Sequence, residues 1–162
     1  MASTAVRVHR LPIPSEGPAD QETNFDYADA FEIRLPQPDA HTAEQWVRAG
    51  LEQSPRVLRA VILVAHRGIL RFSLGPLSSP AHVLGWEIVR SEPEIIHLRA
   101  SSPIMCGSIV ANRVDPTTAT LTTYLHFNRS RSAQLIWAAV GPVHRRVAPY
   151  LMECAAARLS VQ

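Results

Sequence analysis

Between residues 118 and 128 polar and apolar side chains alternate. Thr120, Thr122, Tyr124, His126 and Asn128 share one face, and Leu121, Thr123, Leu125 and Phe127 share the other. A phenol and an imidazole two residues apart can both give and take protons, so Tyr124 and His126 are the candidate catalytic residues if their face lines a cavity. Facing water, they are the wet side of an ordinary antiparallel sheet. A second group, His144, Arg145 and Arg146, follows Pro142 in a helical run. A guanidinium grips a carboxylate or phosphate through two parallel bonds, so His144 and Arg145 suit the charged end of an amphipathic ligand. Their other role is to bond carbonyls freed by the proline. Trp86 and Trp137 are candidate walls for a ligand, or plain core.

Other chemistries are excluded by residue type. All sixteen basic residues are Arg and none is Lys, which removes Schiff-base chemistry, lysine-bound pyridoxal phosphate and the Walker phosphate loop. Seven histidines are present, but none is spaced H-x-H or H-x-x-x-H and no carboxylate stands near at a ligand spacing, so no metal is expected. There is no G-x-S-x-G, and Glu92 and Glu94 straddle a turn proline instead of facing a cleft. Cys106 and Cys154 are far apart and read as packing thiols. No cofactor is implied. A net charge of +2 spread along the chain is not a nucleic-acid stripe.

The elements that must position these residues follow from periodicity. At 162 residues the chain fits one domain. Residues 1–23, with Pro12, Pro14 and Pro18, read as a flexible tail, and residues 24–162 as a single domain. Phe31, Ile33 and Leu35 alternate with charged neighbours, predicting a strand. Thr42 and Gln45 form a capping box for a short helix, and Ser54-Pro55 starts a second that runs to Gly68, with a buried strand over 60–64 as the competing reading. Four strands follow near 83–90, 94–101, 104–114 and 118–128, joined by tight turns. Trp86 shares its face with Leu84 and Ile88, which should be the inner one. His97 falls opposite Ile96 and Leu98, hence exposed or half-buried, and Gly85 and Gly107 suit bulges. Residues 132–161 predict one long curved helix through Pro142 and Pro149, with a stripe of Ile136, Val140, Val143, Val147, Tyr150, Cys154 and Ala157. No run reaches the length of a membrane span and Arg7, His9 and Arg10 break any secretory signal, so a cytoplasmic protein is expected.

This order of elements resembles the SRPBCC (START-like) superfamily. The likeness is sharpest in Thr122-Thr123-Tyr124 and in the run from Trp137 to Leu151, where Gly141, Pro142, His144, Arg145 and Pro149 are similar to an uncharacterised bacterial branch. The resemblance implies an α+β helix-grip fold, a curved antiparallel sheet wrapped around the C-terminal helix, although only about five strands are convincing here. It implies a cavity that binds a small hydrophobic or amphipathic molecule without covalent chemistry, with Trp86, Tyr124, His126, Trp137, His144 and Arg145 as contacts. Two other readings stand beside it: a polyketide cyclase or dehydratase using Tyr124 and His126, and a module with a filled core that pairs with another protein or with itself as a homodimer.

Overall fold

The period-2 segments pair into one sheet. The computed structural model describes residues 6–17, 24–128 and 130–161. In chain order these form β1 (Arg7–Arg10), β2 (Tyr27–Arg34), α1 (Ala43–Leu51), α2 (Arg56–Val64), a π-helical turn (Ala65–Ile69), β3 (His82–Val83), β4 (Trp86–Glu92), β5 (Ile95–Ser101), β6 (Met105–Asp115), β7 (Thr118–Phe127) and α3 (Ser130–Leu159). The sheet order is β1-β2-β7-β6-β5-β4-β3, and every pairing is antiparallel. The fold is α+β in the helix-grip arrangement: the strand before the helices joins the last strand, and α3 lies with α1 on one face of the sheet.

Turn chemistry fixes the register. Leu84 and Gly85 both adopt positive φ (47° and 85°) between the paired Val83 and Trp86, the requirement of a two-residue hairpin loop. Gly85 therefore serves a turn and not a bulge. Ser102 Oγ accepts from the backbone of Ile104 and Met105, and Asp115 Oδ1 from that of Thr117, closing the next hairpins. The Thr42–Gln45 capping box forms, with bonds of 3.2 and 2.8 Å. Ser54 does not cap α2 as its position before Pro55 suggests. Its hydroxyl donates instead to the Leu51 carbonyl (3.0 Å), one of the acceptors left open at the end of α1.

Further expectations change. The N-terminal segment contributes an edge strand, because Val6 and Val8 alternate with Arg7 and His9 and pack on the cluster around Phe31 and Ile33; residues 1–5 and 18–23 of the expected tail lie outside the described residues. With the two-residue β3, this gives seven strands where five were legible. His97 is buried, since β5 has neighbours on both sides that shield even its outer face. Helix α3 runs unbroken through both prolines, but it buries Ala133, Trp137, Ala148, Leu151, Met152 and Ala155. Val143, Tyr150 and Ala157 of the expected stripe are exposed. The helix carries apolar residues on nearly every side, so spacing alone did not fix its inner face. Gly107 keeps the regular ladder; a Cβ there would sit 2.9 Å from the Trp86 ring, so the glycine makes room for the indole.

Candidate functional site

Two turns of α3 separate Trp137 from His144, which places both on the same side of the helix. Opposite them β2 presents Tyr27 and Asp29, on the same face as Phe31 and Ile33. Tyr27 meets Trp137 edge-on with ring centroids 4.9 Å apart, and Trp137 meets His144 at 5.3 Å. The Tyr27 hydroxyl donates to Asp29 Oδ2 at 2.6 Å, and His144 Nε2 stands 3.0 Å from the same oxygen. That nitrogen is at ion-pair distance without the alignment of a hydrogen bond. Asp29 is 1% exposed. Its burial is tolerable only because hydrogen-bonding side chains lie against it.

A second aromatic group faces the first. The π-helical turn carries His66, whose ring lies 5.4 Å from Trp86, and Phe72 completes the group at 5.1 Å from the same indole. Trp86 Nε1 donates to His66 Nδ1 at 3.2 Å. An indole nitrogen only donates, so Nδ1 must accept and the neutral ring carries its proton on Nε2. Burial, reinforced by nearby His144, pushes the His66 pKa from 6.5 down to about 4. The ring is neutral near pH 7. Tyr27 moves the other way, up to about 12, through burial and its bond to Asp29, against the opposing pull of Arg145. The phenol therefore stays protonated.

Between the two groups lies a cavity of about 150 Å³, walled by all three tryptophans together with His66, His144 and Leu125. Its lining is overwhelmingly apolar. Val61 of α2 and Val143 of α3 line it while remaining 52% and 54% exposed, so the opening lies between these helices. Four buried polar atoms at or behind its wall, Trp137 Nε1, His144 Nε2, Arg113 Nη1 and Asp29 Oδ1, have no hydrogen-bond partner among the described residues. Such orphans are rare in folded proteins, and a bound molecule is one way to satisfy them.

The structure brings together three of the sequence-predicted residues at the cavity, Trp86, Trp137 and His144. Arg145 stands beside the Tyr27 phenol, outside the wall. Tyr124 and His126 sit on the opposite face of β7: Tyr124 pairs with Ala28 and meets the Phe25 ring at 5.4 Å, while the exposed His126 faces Asp26 at 3.4 Å. Asp29, Tyr27 and His66 were missed. The first two had a signal, since Tyr27, Asp29, Phe31 and Ile33 hold one period-2 series. His66 had none beyond closing an apolar run. Among the described residues no group of three His, Cys, Asp or Glu side chains is placed to hold a metal ion. No protein-family model, curated protein or solved structure matches the chain.

Proposed function

We propose that this protein binds a small, mainly apolar molecule carrying one hydrogen-bond-accepting group, held in the cavity between the sheet and α3. The observation that carries this reading is the overwhelmingly apolar cavity of about 150 Å³, walled by three tryptophans and open to solvent between α2 and α3, with the unpartnered Trp137 N–H buried behind its wall. A cavity of this volume encloses about one benzene ring. A longer ligand would place a ring or short acyl segment inside and the remainder in the opening. The donors on offer, Trp137 Nε1 and the protonated edge of His66, favour a carbonyl, ether or phenolic oxygen.

The test is thermal unfolding against a panel of naphthols, aryl ketones and short fatty acids, with native mass spectrometry of the purified protein to detect a retained ligand. Binding to the folded state raises Tm in proportion to ligand excess over Kd. A ligand found this way should lose about tenfold in affinity with Trp137→Phe, which keeps the ring and removes the donor. The absence of any shift across the panel would count against the reading.

The buried Asp29 beside His144 supports a second reading, in which His144 moves a proton on the bound molecule. Tyr124 and His126 lack the position for that role. Deuterium exchange at a carbon next to the carbonyl of a bound aryl ketone would reveal it. His144→Gln should then abolish exchange and retain binding; exchange no faster than in buffer would remove the enzymatic reading.

A further inference from the structure

We infer that the face surrounding the cavity opening, formed by α2, the π-helical turn and the outer side of α3, is a docking surface for an anionic lipid bilayer. The first observation is exposed apolar surface on α2. Only Ile62 of that helix is buried, whereas Val57 and Val64 are 78% and 66% exposed and Val61 lies between them. At 100° per residue these three fall within about 60° of one another. Ile69 in the π turn is exposed as well, and α3 exposes Val143 at the opening and Leu135 and Pro142 elsewhere along its length.

The second observation is charge. Residues 56–71, which span α2 and the π turn, and residues 130–152 of α3 contain seven of the sixteen arginines and none of the fourteen acidic residues. Arg56, Arg67 and Arg71 are exposed around the valines, and Arg131 and Arg146 are exposed on α3. Glu52, which caps the end of α1, is engaged by Arg48 and by the backbone of Leu84. An apolar stripe flanked by cations suits a surface that is negative outside and greasy just beneath. A second copy of the chain would set arginine against arginine across a two-fold axis, and a nucleic acid would meet exposed valines without a stacking ring. The inference stands whether or not the cavity holds a ligand.

Flotation of the full chain with vesicles tests it. Protein should float with phosphatidylcholine vesicles containing roughly a third phosphatidylglycerol, and scarcely with phosphatidylcholine alone. Raising the salt should weaken the association, because charge contributes to it. Val57→Asp combined with Val64→Asp should abolish flotation, and Arg56→Gln or Arg67→Gln should each weaken it about fivefold, the equivalent of about 1 kcal/mol per arginine. Val114→Asp, an exposed valine at the far end of β6, should change nothing. Circular dichroism melts check that each variant folds, as expected for exposed positions. No flotation with the anionic vesicles overturns the inference, as does flotation that the α2 variants leave intact. A concentration-dependent dimer dissolved by Val57→Asp would assign the face to a second copy and overturn it as well.

Discussion

Asp29 is a carboxylate in the interior whose environment is built from one phenol, one imidazole and a guanidinium just behind the phenol. Removing the phenolic oxygen leaves the carboxylate without its shortest bond. Tyr27→Phe should therefore cost about 1–3 kcal/mol in denaturant unfolding, more than a surface tyrosine would. His66 gives a pH signature of the opposite kind. The unfolded chain takes up a proton at this ring near pH 6.5, whereas the folded chain refuses it until about pH 4. This contribution to stability is intact above pH 6.5 and is lost as pH falls toward 4, by at most about 3 kcal/mol. Wild-type Tm should fall across that window, and His66→Gln, which keeps an acceptor for Trp86, should flatten the fall. An unchanged slope would show that another group controls it. These residues also mark what the sequence could reveal. Asp29 was readable from the two-residue series it shares with Phe31 and Ile33, but its pairing with His144 spans 115 positions and needs the fold.

Among the elements, α1 and α2 differ in how firmly they are held. α1 has a complete capping box, buries Trp46 and Val47, and meets α3 so closely at Gly50 that a Cβ there would lie 3.1 Å from the Leu151 carbonyl. α2 has no side-chain cap and one buried residue. Its amides should exchange with solvent much faster than those of α1 in hydrogen-exchange measurements, since local opening follows the density of buried contacts. β6 carries a different constraint. Gly107→Ala should push Trp86 from its seat, at a cost of about 1–3 kcal/mol, and lower affinity for any ligand in the cavity. Capping, hairpins and the strands with clean alternation were legible because they are encoded by neighbours in sequence. The inner face of α3 and the strand at Arg7–Arg10 were not. The helix is apolar around most of its circumference, and the short strand is recognisable only beside the free edge of β2.

At the scale of the whole molecule, antiparallel order leaves two edges, β1 and β3. β3 is two residues long, which limits pairing with another chain. β1 covers β2 with four residues, two of them Arg and one His. Deleting residues 1–12 should uncover an edge that carries Phe31 and Ile33, and light scattering should then show more concentration-dependent association than for the full chain. A truncated chain that associates no more than the full chain would show that β1 is dispensable as a guard.

All three tryptophans border the same cavity, and their N–H groups stand in three different settings. Trp46 Nε1 bonds Asp39 at 2.6 Å, Trp86 bonds His66, and the Trp137 N–H is unpartnered among the described residues. The protein is thereby its own optical sensor. A molecule entering the cavity changes the surroundings of indoles that supply all of the tryptophan emission, so occupancy is readable from intrinsic fluorescence without a label. Single Trp→Phe replacements would resolve which wall the ligand touches.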